Sequence, residues 1–161
     1  MKRILLTSAL IGLGLPAVGS ATDLNVDFTA TVLATTCTIT IVQDGGPVVT
    51  GSNGEYSLTI PNVGLDKVVT GDVAAQANFK LKASDCSNGY SKIFTTLTGT
   101  TVSGKLIVNE ASSGATGVGM GIKRRDTADS AFFTPNNTDK FEWTSDDKAN
   151  GVPLTVALRE T

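Results

Sequence analysis

Nine consecutive residues, Leu24-Asn25-Val26-Asp27-Phe28-Thr29-Ala30-Thr31-Val32, alternate apolar with polar. A period of two writes a β-strand with one apolar face and one wet face. The rest of the chain has no stretch of sustained helical periodicity, whereas Thr, Val and Gly are abundant and turn residues recur at short intervals. That combination predicts an all-β sandwich with slight helix content. The alternating strand lies near the start of the chain, where it is free to leave its own fold and add to a neighbour's sheet. Such a strand can drive polymerisation.

Residues 1–21 read as a signal peptide: Lys2 and Arg3 make a positive start, Ile4 to Leu15 is an apolar run, and Gly19-Ser20-Ala21 offers small residues for cleavage. A retained N-terminal anchor is the rival reading, but a membrane-spanning helix needs roughly 20 apolar residues. The mature chain is then expected to begin near Thr22. Loss of Lys2 and Arg3 takes thirteen basic residues to eleven against fifteen acidic ones, a net charge of −4. No basic footprint for nucleic acid is present.

A mature chain of this size supports one domain with a single core. It carries two cysteines, Cys37 and Cys86. In an oxidising compartment an even count points to one disulfide, and closing so long a loop stabilises by about 3 to 4 kcal/mol on the entropy model. Free thiols or a metal site are the alternatives. The chain has no histidine, and two sulfurs rarely hold zinc alone.

Candidate strands are Leu24 to Thr35, Cys37 to Val42, Tyr56 to Ile60, Ala77 to Ala83, Lys92 to Leu97, Lys105 to Val108, Val118 to Lys123, Lys140 to Thr144 and Leu154 to Arg159. Turn-favouring groups separate them, among them Asp44-Gly45-Gly46-Pro47, Gly51-Ser52-Asn53-Gly54, Ser87-Asn88-Gly89 and Pro135-Asn136-Asn137. The strongest stretch is Phe79-Lys80-Leu81-Lys82-Ala83-Ser84-Asp85-Cys86, with Phe79, Leu81 and Ala83 on one face and Lys80, Lys82 and Ser84 on the other. The last apolar element, Val152 to Leu158, reads as an internal strand with only Arg159-Glu160-Thr161 after it. A closing sandwich strand is therefore expected to be missing, through truncation or because another chain covers the apolar face.

Absence of histidine removes the imidazole general base and the Ser/His and Cys/His nucleophiles. Asp146-Asp147 and Asp126 with Asp129 fall in polar, turn-rich stretches and read as solvated loops; a catalytic pair or a calcium site needs more oxygen ligands at defined spacing. The run Gly117-Val118-Gly119-Met120-Gly121 is a poor phosphate loop because no helix follows. It reads as a strand whose glycines leave one face flat, so that another backbone can lie close. Lys123-Arg124-Arg125 reads as a solvated strand end, with an anionic surface as its minor alternative. No enzyme chemistry, cofactor or metal is expected. The sequon Asn136-Asn137-Thr138 reads as chance in a bacterial-style export context.

In this order, four features resemble the structural subunits of bacterial chaperone-usher fimbriae, the type 1 and P pilus group. They are the signal followed by the alternating arm, the spacing from Phe28 through Val32 and Leu33 to Cys37, the strand from Phe79 to Cys86, and the late run Gly117 to Ile122. Together they cover most of the mature chain.

The resemblance implies an immunoglobulin-like sandwich lacking its seventh strand, with a groove in its place. It divides the chain into an N-terminal donor-strand arm at 22–35 and a β-sandwich body at 36–161. The donor residues it assigns are Leu24, Val26, Phe28, Ala30 and Val32, of which Ala30 stands where the family usually has glycine. A periplasmic chaperone fills the groove first, and the arm of the next subunit replaces it at the outer-membrane usher. The implied product is a fimbrium on the cell surface that supports adhesion, with neighbouring subunits and host surface receptors as further partners. The family's C-terminal strand, with its penultimate tyrosine, has no counterpart after Thr161. The alternatives are a carbohydrate-binding adhesin and a minor tip or adaptor subunit. Trp143 could line a sugar pocket, although a lone Trp in an alternating strand is more often core.

Overall fold

The period-two stretches form strands, and their apolar positions turn toward one shared interior. The computed structural model describes residues 25–29, 37–45, 49–52, 55–60, 62–86, 91–108, 116–136 and 140–161. In chain order the elements are β1 (Asn25–Thr29), β2 (Thr38–Gln43), β3 (Val49–Ser52), β4 (Glu55–Thr59), α1 (Leu65–Thr70), β5 (Gln76–Ser84), β6 (Phe94–Thr95), β7 (Val102–Ser103), β8 (Leu106–Val108), β9 (Val118–Arg124), β10 (Phe141–Glu142), α2 (Ser145–Asn150) and β11 (Val152–Glu160). One-turn 3-10 segments sit at Val73–Ala75 and Asp129–Ala131.

The larger layer is an antiparallel sheet in the order β2-β5-β11-β9-β8-β7. Its register stacks apolar residues on one face: Ile41 opposite Leu81, Leu81 opposite Val152, Phe79 opposite Leu154, and Val156 between Ala77 and Ile122. Directly opposed side chains share a face of the pleat, so this row is the sheet's contribution to the core, and every residue in it is buried. The second layer comprises β1-β4-β3, with β4 in the middle, and the short β10-β6 ladder. This is the expected all-β sandwich, with one disulfide joining Cys37 to Cys86 across 49 positions of sequence. It ties the start of β2 to the end of β5, whose Thr38 and Ser84 are register partners.

Several elements differ from the sequence expectation. Gly51-Ser52, expected as turn, belongs to β3, and the hairpin register puts Ser52 opposite Glu55, so that only Asn53-Gly54 stands between β3 and β4. The strands expected over Lys92–Leu97 and Lys140–Thr144 reduce to the two pairs Phe141 with Thr95 and Glu142 with Phe94. Thr144 instead caps α2: its hydroxyl accepts from Asp147 N at 3.1 Å, while the Asp147 carboxylate accepts from Thr144 N at 2.9 Å. That reciprocal pair is a capping box, which starts a helix by satisfying its first free N–H groups. The helix α1, which no periodicity announced, is six residues long and stops at Gly71, whose φ of 72° is the left-handed closure that glycine adopts without strain.

The glycine-rich strand also turns out differently. Gly117 precedes β9 in a turn with φ of 74°. Gly119 and Gly121 do lie in β9, but side chains of the same chain fill the space above them. A Cβ on Gly121 would come within 2.8 Å of three ring atoms of Phe132, and one on Gly119 within 2.8 Å of Leu106 and Thr161. Phe132 follows the Asp129–Ala131 turn, which folds back over β9 through Phe133 N donating to Ile122 O at 2.8 Å. Both faces of β9 are therefore buried, which accounts for its high glycine content.

Candidate subunit-binding groove

Tyr56, Ser57, Leu58, Thr59 and Ile60 carry the same alternation as the arm, and β4 places Tyr56 and Leu58 on the inner side, facing the large sheet. Across from them stand Ile41 of β2, Phe79 of β5, Met120 and Ile122 of β9, and Val156 of β11. Together these seven side chains border a small apolar cavity of about 10 Å³ that opens to the surface. Nothing titratable lines it except the Tyr56 phenol, so its lining is apolar throughout and offers no group for moving protons.

The edge of β4 beside this pocket is occupied by β1, antiparallel, with Asn25 opposite Thr59, Val26 opposite Leu58, Asp27 opposite Ser57, Phe28 opposite Tyr56 and Thr29 opposite Glu55. Thus Val26 and Phe28, two of the five donor residues the sequence singled out, hold the β1 positions directly across from the two β4 residues that border the pocket. Leu24, Ala30 and Val32 lie outside the described residues. The other edge of β4 carries β3, in the register Val49 with Leu58 to Ser52 with Glu55. Sequence reasoning recognised Tyr56 to Ile60 only as a strand, although its period of two was the available sign that one side faces a core.

Charged residues expected to be solvated are instead tied down around this core. Lys123 is 6% exposed, and its ammonium donates to Asp129 Oδ1 at 2.8 Å and Thr127 O at 2.5 Å. Asp129 also accepts from Arg159 Nε at 2.6 Å, and Arg159 reaches Gly71 O at 3.2 Å. Arg125 pairs with Asp44, which also lies 3.5 Å from Lys80 Nζ. Arg124 is held by Asp147 and lies with its guanidinium carbon 5.5 Å from the centre of the Phe141 ring. The Lys123-Arg124-Arg125 run is therefore neutralised within the chain. Burial pushes the Asp147 carboxyl up, but hydrogen bonds from Arg124 and Thr144 outweigh it and leave the group below its usual range. Asp129 follows the same pattern, with Arg159 and Lys123 as the stronger influence.

Trp143, the one residue proposed for a sugar pocket, is 2% exposed, and its indole N–H donates to Thr95 Oγ1 at 2.9 Å. It is a core side chain with its single polar atom satisfied, and the stacked rings of Phe133 and Phe141 pack against the same core. Among the described residues no cluster of three or more His, Cys, Asp or Glu is placed to hold a metal ion, and no helix is long and apolar enough to cross a membrane.

Comparison with known proteins agrees with this geometry. Residues 26–161 match the family model described as fimbrial protein. The chain is 48% identical over 148 residues to the uncharacterized fimbrial-like protein YadM of Escherichia coli (strain K12), an alignment spanning 88% of this chain and 77% of that protein. No solved structure matches the chain. A family match over most of the sequence and a relative at this identity leave one conclusion: the chain belongs to the fimbrial protein family, as a chaperone-usher fimbrial subunit that associates with other fimbrial subunits in a surface fimbria.

Proposed function

We propose that this subunit polymerises by donor-strand complementation, the arm at 22–35 of one copy entering the groove in the body, 36–161, of the next. In this reading Leu24, Val26, Phe28, Ala30 and Val32 of the incoming arm are the apolar row that the pocket receives, while its backbone extends the sheet along β4. Strand addition of this kind draws affinity from main-chain hydrogen bonds and specificity from alternate side chains entering pockets. Each buried apolar side chain adds roughly 1.5 to 3 kcal/mol, so a handful makes a long-lived joint. The observation that carries the reading is the apolar pocket bordered by Tyr56 and Leu58, at a β4 edge whose register already accepts an alternating strand.

Before assembly, a periplasmic chaperone shields that apolar surface, and the outer-membrane usher is the place of exchange. The finished fimbrium presents subunits outside the cell, where contact with host surface receptors supports adhesion. The chemistry required is burial and pairing alone, and no residue is asked to act as a catalyst.

The test is to express two variants in fimbriated cells, one lacking residues 22–33 and one with Phe28→Asp, and to examine purified fimbriae by electron microscopy and mass spectrometry. Both should be secreted and folded yet absent from the fibre shaft, since a charge cannot enter the pocket without a large desolvation cost. Incorporation of the arm-deleted chain at the parent's level would overturn the proposal.

A further inference from the structure

We infer that this subunit makes a head-to-tail contact with another copy of itself, in which the exposed apolar row of α1 and the turn after it, Leu65, Val69 and Val73, lies against Phe94 of the next copy. The contact lies apart from the groove and does not depend on how the arm pairs.

Among the described residues four large apolar side chains are exposed, and three of them fall within nine positions: Leu65, Val69 and Val73 are 54 to 80% exposed, with Phe94 as the fourth. Single exposed apolar side chains are ordinary, whereas a group of them marks a surface that another molecule covers. Leu65 and Val69 stand four apart on α1 and so share one row of it. Val68 is the residue that seats the helix in the core, so the outer row is not needed to hold α1 in place. The row is also held rigid. Gly71 closes the helix, and the Asp72 carboxylate accepts from Lys67 Nζ at 3.0 Å on one side and from Ala74 N at 2.9 Å on the other, bracing the helix against the 3-10 turn that carries Val73.

The two apolar features sit at opposite ends of the sandwich. Gly71 O, at the close of α1, accepts from Arg159 at the far end of β11. At the near end, α2 leads into β11 at Val152, and Lys148 of α2 donates to Ser91 O at 2.6 Å. Phe94 pairs there with Glu142, just ahead of α2. Val152 and Arg159 are separated by about 24 Å of strand, at roughly 3.4 Å per residue. Complementary surfaces at opposite ends make a heterologous contact, which extends into a fibre when it does not close into a ring. The same row placed against its own copy would close a dimer instead, and this chain belongs to a family whose subunits associate in a surface fimbria.

Charge favours the same pairing. Residues 65–73 carry Asp66 and Asp72 against Lys67, a net charge of −1. Residues 92–95 and 140–142 carry Lys92 and Lys140 against Glu142, a net charge of +1. The Lys92 ammonium lies 3.2 Å from Glu142 and 5.8 Å from the centre of the Phe94 ring, so the ring is presented beside a cation. Opposite signs steer one end onto the other and fix its orientation, while the α1 row set against its own copy would bring Asp66 toward Asp66.

The test expresses the Val69→Cys/Phe94→Cys double variant in fimbriated cells, oxidises the purified fimbriae mildly and separates them after heating in detergent without reductant. Both positions are exposed, and the chain's own cysteines are already joined to each other. The expected result is a ladder of dimers, trimers and larger multimers that reductant collapses, with peptide mapping joining position 69 to position 94, and no ladder from either single variant. Fimbriae that contain the double variant and give no ladder overturn the inference; they leave the donor-strand reading in place, because incorporation is that reading's own readout. A link from position 69 to position 69, or from either position to a different fimbrial subunit, also overturns it. If the double variant is absent from the fimbriae, the two single variants, each from Thr22 on, are purified, mixed and oxidised. Dimers joining 69 to 94 in at least about tenfold excess over either same-position dimer then support the contact, and the lack of such an excess overturns it.

Discussion

Asp147 on α2 grips Arg124 on β9 with both carboxylate oxygens, Nη1 to Oδ1 at 2.9 Å and Nη2 to Oδ2 at 2.8 Å. The same carboxylate closes the capping box with Thr144, so one buried side chain starts a helix and anchors it to the large sheet. Replacing Asp147 by Ala removes the cap and leaves Arg124 without its partner. Two charge-assisted hydrogen bonds and a cap together imply a loss of about 2 to 4 kcal/mol. Urea unfolding followed by circular dichroism should show a midpoint lowered by roughly 1 M or more; an unchanged midpoint would mean that the pair contributes nothing.

Acid should weaken the fold through the same groups. Asp147 and Asp129 are both held below their usual range in the folded chain, so at low pH the unfolded chain binds protons that the folded one does not. Their contribution is fully present above the unfolded carboxylate value of about 3.9 and is lost as pH falls through the lower folded values. Unfolding midpoints measured at pH 7 and pH 3 should therefore drop less for Asp147→Asn than for the parent. An equal drop in both would show that Asp147 does not take part in the acid transition.

Gly121 has no room for a methyl group while Phe132 lies on it, because a Cβ there would meet the ring at 2.8 Å. The ring is itself buried, and the Lys123 ammonium sits 5.7 Å from its centre. Gly121→Ala should cost about 1 to 3 kcal/mol by overpacking. Combining it with Phe132→Leu should recover part of that loss, since residues in contact are not additive. Strictly additive urea midpoints for the two changes would place the strain elsewhere.

The strands were legible where alternation was strong and long, as in Phe79 to Ala83 and Val118 to Lys123, because a period of two is a local property that any single strand must satisfy. Short pairs such as Phe94–Thr95 with Phe141–Glu142 were over-extended in the sequence reading, since two residues of ladder leave no periodic trace. Thr144-Ser145-Asp146-Asp147 carried its helix start in plain view as a threonine three residues ahead of an acid, yet the sequence reading gave Thr144 to the end of a strand and, from polarity, Asp146-Asp147 to a solvated loop. The arm stood out from its alternation; the pocket did not, because its walls come from β2, β4, β5, β9 and β11, which lie far apart along the chain.

By itself the sequence determined that this protein is β-rich, that its two cysteines join, and that residues 24–32 alternate apolar with polar, a pattern realised as strand over Asn25–Thr29. Each of these follows from side-chain chemistry acting over a few neighbours, or from the compartment to which the chain is sent. The tertiary structure alone decided which edge that strand meets, that Asp44 neutralises Arg125 across 81 positions, and that Asp147 is buried against Arg124. Pairing over such distances depends on the register of whole sheets. Many residues set that register together, and no local pattern records it.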